Sequence, residues 1–363
     1  MMILYVGIIL ILYSLLSRGK YNLSIAFLFV FLIMGFQNNV DGDFYSYMEE
    51  YTNFSFENHV SRKGEYFWLY LTYFFQKHVS FHVFIILLSL FECYCVKKYI
   101  ERFSNEKYSY VSVILFFFTF NYMLMQMKAL RQGLAVDLCM LSFVMIDKCK
   151  KKTIFFAALL SLAAYYTHKS CLVCVSFVWG YWLYIRYSKS NSWFKVTKPI
   201  YFAIAIFVLY FFKKAFLDTY LVPILGMLDD DHYMNYAKDF SEHEGQMGFL
   251  PILYNAIIVT IMAWYLKFAT KRERFLVILA IVGVFVDVLV FATGSIQRLL
   301  LYFLFANLAV IPGMTYAVEK KYGSVSKWLF LALLLGYALK TSLPSITSTI
   351  GDKFGNYQFI FMQ

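Results

Sequence analysis

Apolar residues run along this chain in long, nearly unbroken stretches separated by short polar connections. A soluble helix or strand would instead show a polar face at a period of 3.6 or 2. Crossing a hydrocarbon core of about 30 Å takes roughly twenty such residues in helical form. The pattern predicts helices at 3–17, 23–37, 80–97, 108–127, 132–147, 153–168, 170–187, 199–217, 251–268, 275–293, 299–317 and 327–343. A shorter amphipathic stretch, Tyr66–Phe75, precedes the third and reads as a re-entrant or interfacial helix. The expectation is an all-α, polytopic transmembrane bundle of about twelve spans. It forms one integral membrane domain over residues 1–363, with no internal repeat. The first run reads as a span and not as a removable leader, because no small-residue cleavage site follows its apolar core.

Composition agrees. Hydrophobic residues make up 61% and charged residues 15%, against about 45–50% and 25% in a soluble domain, which excludes an ordinary cytosolic enzyme. The formal charge of +11 would suit a polyanion-binding surface if it were evenly spread. It is not. When alternate connections are assigned to the cytoplasm, beginning with Arg18 and Lys20, they hold 21 of the 33 basic residues and only five of the 22 acidic ones. That asymmetry is the positive-inside signal, so the basic balance reports topology and no nucleic-acid partner is implied. Both termini then lie outside. So do the two long connections, 38–65 and 218–250. Long polar loops in a compact membrane protein carry function or act as lids, which puts the chemistry at the outer face.

Ionisable groups near lipid are costly and therefore informative. Arg131, His168 with Lys169, and Arg298 sit at the outer ends of helices, in tight connections with small or polar neighbours such as Gln132, Gly133, Gly294 and Ser295. Taken singly, each could be an interfacial side chain snorkelling to headgroups. Together they suit a site, because arginine's planar fork matches two phosphate oxygens and histidine moves protons near neutral pH. In the first long loop, Asp41 and Asp43 imitate the DxD of nucleotide-sugar enzymes, on a face where nucleotide sugars are absent. Glu65 could serve as a carboxylate base or as a helix-dipole partner. The second loop holds Asp229, Asp230, Asp231 and His232 without EF-hand spacing. Cys171 and Cys174 share a helix face, but no second pair or local histidine completes a zinc site, so no metal is expected. Glu92, Asp137 and Asp287 fall within spans, where they either bond neighbouring helices or mark an ion pathway.

The order of these residues resembles the EpsG family of Wzy-type polymerases of bacterial exopolysaccharide, capsule or O-antigen. Asp43-x3-Tyr47-x3-Tyr51, Glu65-Tyr66, Arg131-Gln132-x-Leu134-Ala135 and His168-x-Ser170 carry the likeness from about residue 30 to residue 180, and Arg298-x3-Tyr302 continues it. One departure is Thr167, where the family usually has Phe before the histidine. The resemblance implies a fold like the GT-C membrane glycosyltransferases and no cofactor. It implies polymerisation of oligosaccharide units carried on undecaprenyl pyrophosphate at the outer face of the cytoplasmic membrane, alongside membrane lipids and a chain-length regulator. On that reading Arg131, Arg298 and Lys169 bind pyrophosphate. His168, or alternatively Asp43 or Glu65, activates the acceptor hydroxyl, and Tyr47, Tyr51, Gln297 and Tyr302 contact sugar. A lipid-linked oligosaccharide flippase or other transporter, a polysaccharide ligase and a membrane acyltransferase are the alternatives. A transporter would place its polar residues nearer the bilayer midplane.

Overall fold

The computed structural model describes residues 2–17, 22–38, 42–55, 64–119, 122–188, 198–216, 248–290, 298–347 and 357–362. Among them are fourteen α-helices, and each run read from the sequence coincides with one or two of them. These are α1 (Met2–Leu16), α2 (Leu23–Gly35), α3 (Gly42–Thr52), α4 (Tyr66–Gln76), α5 (Phe81–Phe103), α6 (Ser109–Phe118) and α7 (Met123–Lys128). Then follow α8 (Leu130–Asp147), α9 (Lys151–Thr167), α10 (Leu172–Tyr187), α11 (Ile200–Phe216), α12 (Phe249–Tyr265), α13 (Lys271–Val290) and α14 (Leu301–Thr347). Two differences stand out. The connection 38–65 contains a helix of its own, α3, and the run 108–127 is broken between α6 and α7, where Thr119 turns to extended backbone. A two-residue antiparallel pairing, β1 (Gln37–Asn38) with β2 (Gln358–Phe359), ties the C-terminal segment to the end of α2.

Two compact units divide the chain, residues 1–188 with 311–363 and residues 189–310. In the first, α8 lies at the centre, packed against α9, α5 and α10. Its seam with α9 is built from small residues, Ala157, Ser161 and Ala164, all buried. These let the backbones approach until the Ser142 hydroxyl reaches the Ala157 carbonyl across the seam at 3.3 Å. The opposite face of α9 turns Phe155, Leu159 and Leu162 outward. In the second unit, α13 opens with a capping box: the Thr270 amide donates to Glu273 Oε2 at 2.7 Å, and the Glu273 amide donates to Thr270 Oγ1 at 3.3 Å. Gly323 interrupts α14 with φ 86° and ψ 178°, which separates the last two runs read from the sequence.

Among the described residues, one helix qualifies by length and composition as a long apolar span, Arg298–Pro344. Ile3–Ser14, Leu23–Gly35, Ile200–Lys213 and Phe249–Tyr265 are apolar but shorter. The count of about twelve spans is therefore met only in part, for a physical reason. A helix of fifteen to seventeen residues rises about 22–26 Å, short of a full hydrocarbon core. The longer α5 carries Lys97, Lys98, Glu101 and Arg102 in its last turns. Large apolar side chains nevertheless point outward from α1, α9 and α11, among them Ile9, Leu12, Phe155, Phe211 and Phe212. Such faces are compatible with a membrane protein.

Charged groups that the positive-inside rule assigns to the cytoplasm meet in the first unit. Asp147 accepts from Arg102 Nε and from the Tyr181 hydroxyl, each at 2.6 Å. Glu319 accepts from Lys107 at 2.6 Å, from Lys327 at 2.8 Å and from the Tyr108 hydroxyl. The hydrogen bonds from Lys107, Lys327 and Tyr108 hold the Glu319 carboxyl down at about 2.

Candidate active site

Helices α3 and α4 set one amphipathic stripe each against the other. On α3 and just beyond it, Tyr47, Glu50, Tyr51 and Phe54 recur at i, i+3, i+4 and i+7; from the start of α4, Glu65, Trp68, Leu69 and Thr72 do the same. With Phe81 and Phe84 from the first turn of α5, these side chains line a hollow of about 50 Å³. That is room for roughly three water molecules. Arg131, from the first turn of α8, reaches into the same hollow.

Glu65 organises the polar end. It stands at the N-cap position of α4, but its side chain caps no backbone amide. The carboxylate turns to two cation-forming groups instead. Its Oε2 accepts from Arg131 Nη1 at 2.8 Å, and its Oε1 meets His168 Nδ1 at 2.6 Å. The Glu65 side chain is 8% exposed, so both contacts are made largely out of water. The Arg131 guanidinium lies 5.7 Å over the Tyr47 ring, and Tyr47 packs edge-on against Trp68. Arg131 Nε is buried without a hydrogen-bond partner, as is Thr72 Oγ1 on the wall. Gly64, one residue before Glu65, has φ +59°, and a Cβ there would come within 3.0 Å of Lys169 Nζ. The glycine thus lets the lysine ammonium rest against the backbone leading into Glu65.

The structure gathers Glu65, Arg131, His168, Lys169 and Tyr47 in one place. Tyr51 lines the hollow, but its hydroxyl donates to the Val79 carbonyl at 3.0 Å and its ring stacks on Phe84. Burial pushes that phenol up to about 12. Asp43 belongs to α3, with a side chain outside the described residues, and Gln297 and the acidic stretch of the second long connection lie outside them as well. Arg298 and Tyr302 belong to the second unit, the arginine exposed and the tyrosine fully buried. Thr167, the departure from the family's Phe, is buried and donates its hydroxyl to the Ala163 carbonyl at 2.7 Å. Among the deep carboxylates, Asp137 accepts from Gln126 at 3.0 Å and Asp287 from Asn255 at 2.9 Å. This is the neighbour-bonding alternative for those two. Sequence reasoning missed Glu50, Trp68 and Thr72, although the 3.6-residue phase that places them is present in the sequence.

A profile of the EpsG family matches residues 20–359, nearly the whole chain. The chain belongs to the EpsG family. That family comprises membrane proteins of exopolysaccharide biosynthesis, and the Glu65, Arg131 and His168 cluster falls within the matched span. No curated protein and no solved structure matches the chain.

Proposed function

We propose that this EpsG-family protein is a multi-pass membrane glycosyltransferase. It joins oligosaccharide repeat units carried on undecaprenyl pyrophosphate at the outer face of the cytoplasmic membrane. One observation carries the reading: a nearly buried carboxylate, Glu65, bridges an arginine and a histidine beside an aromatic-walled hollow. Glu65 fixes His168 through Nδ1 and so directs Nε2 toward the acceptor as a proton acceptor. The acceptor hydroxyl oxygen bonds to the donor's anomeric carbon as the bond from that carbon to the pyrophosphate oxygen breaks. The electron pair leaves with the lipid pyrophosphate, and the hydroxyl proton passes to His168. Arg131, with an unpaired Nε–H as well as its outer nitrogens, holds the diphosphate and stabilises the charge that develops on it. Lys169 supplies a second cation. Tyr47 and Trp68 offer ring faces to a sugar.

Vesicles containing the protein and a lipid-linked repeat unit test this directly. Wild type converts single repeats into a polymer ladder, while His168→Ala and Arg131→Ala at equal protein level leave single repeats. If either variant polymerises at the wild-type rate, the assignment is wrong. Arg131→Lys fails as well if the planar fork is required, and Arg298→Ala tests the second arginine separately. A flippase is separated by sidedness: loss of a polymerase strands single repeats on the outer face, and loss of a flippase strands them inside.

A further inference from the structure

Three thiols from two helices meet in the core of the first unit. Cys139 on α8 faces Cys171, which ends a short 3-10 turn, and Cys174 in the first turn of α10; the three sulfurs all lie within 4.8 Å of one another. Cys139 and Cys171 stand 3.5 Å apart, and each of the three is 0% exposed. A buried thiol ordinarily fills space as a small apolar group, and one or two at this place would need no other account. The third changes the geometry. A metal held at about 2.3 Å by three thiolates sets its sulfurs about 3.8–4.0 Å apart, inside the interval this triangle already occupies. Side-chain shifts of less than about an ångström would close it.

We propose that Cys139, Cys171 and Cys174 form an all-sulfur site for a soft, thiophilic metal ion, copper(I) foremost. Among the described residues no histidine or carboxylate joins the three sulfurs in one cluster. A trigonal sulfur set suits monovalent copper, whereas structural zinc takes a fourth ligand. The thiols that ligate release their protons to the medium. Cys171 and Cys174 come as a C-x2-C pair on one helical face, and the third ligand arrives from a residue 32 positions earlier. The ion would pin α8 to α10 three residues after His168, fixing the segment that carries the histidine without touching the Glu65 contact.

The full-length protein, purified in detergent under anaerobic reducing conditions, is titrated with copper(I) in competition with bathocuproine disulfonate. Wild type withdraws about one equivalent from the competitor. Cys139→Ser, Cys171→Ser and Cys174→Ser each weaken binding about ten-fold or more. Cys149→Ser, which alters an exposed thiol, leaves it unchanged. The proposal is overturned if wild type withdraws less than half an equivalent, a result that depends on no variant folding. It is equally overturned if Cys149→Ser abolishes uptake, or if the isolated protein carries a Cys139–Cys171 disulfide.

Discussion

The Glu65–Arg131 contact can be tested as a folding interaction apart from any chemistry. Glu65→Gln keeps the side chain's shape and removes its charge, and Arg131→Leu removes the partner. The two side chains are 8% and 20% exposed, so the pair is largely but not wholly desolvated. Breaking a fully buried pair by removing one partner costs about 3–5 kcal/mol. Here Arg131 retains the Tyr47 ring and some solvent, and Glu65 retains His168, so each single change should cost about 2–3 kcal/mol. Because the groups touch at 2.8 Å, the double variant should cost less than the sum of the singles, with a coupling of about 1–3 kcal/mol. Denaturant unfolding of the detergent-purified protein, followed by tryptophan fluorescence, measures the cycle. Trp68 on the wall of the hollow reports from the site itself. Additivity within about 0.5 kcal/mol would refute the reading of Glu65 as Arg131's charge partner.

Glu319→Gln removes a carboxylate whose folded value is depressed from 4.5 to about 2, so its contribution is fully present above 4.5 and fades as pH falls toward 2. The stability gap between wild type and variant, a few tenths to about 1 kcal/mol for a solvent-screened cluster, should shrink over that acidic interval; a gap that widens there contradicts the assignment. Gly323→Ala should destabilise by about 1–3 kcal/mol through backbone strain alone, since φ 86° suits only glycine and nothing lies within 4 Å of the added methyl. An unchanged melting temperature would mean the bend in α14 is not held as described.

Helix positions were legible because uninterrupted apolar runs leave little choice of secondary structure, and even the amphipathic stretch 66–75 falls on α4 within a residue. Span length was less legible: α1 and α2 end where the polar connections begin, before about 20 residues are reached. The site was legible in its members but not in its wiring. Glu65, Arg131 and His168 were singled out for their chemistry, yet Glu65 meets partners 66 and 103 positions away, and periodicity says nothing of such distances. Trp68 and Thr72 fall in phase with Glu65 on α4, but a short helix at a membrane surface gives no sign in its sequence of which face turns inward. Lys107 and Glu319, assigned to one side by the positive-inside rule, are 212 positions apart and in contact.

Charge balance in the hollow leads to a prediction that separates a working carboxylate from a merely structural one. Arg131 and Lys169 bring two positive charges, Glu65 and the wall residue Glu50 two negative ones, and these four formal charges cancel. An arriving diphosphate must then compete with Glu65 for the same guanidinium. Two like charges about 4 Å apart at an effective dielectric of about 20 repel by about 4 kcal/mol, and a third of that is about a ten-fold change in affinity. Glu65→Gln should therefore bind the lipid diphosphate about ten-fold tighter, while kcat falls because His168 has lost the carboxylate that orients its ring. Binding measured with undecaprenyl pyrophosphate and turnover measured with the lipid-linked repeat give the two halves. A carboxylate that only braced α4 would lose affinity and turnover together when replaced, so weaker binding in Glu65→Gln would refute the reading of Glu65 as the diphosphate's competitor for Arg131.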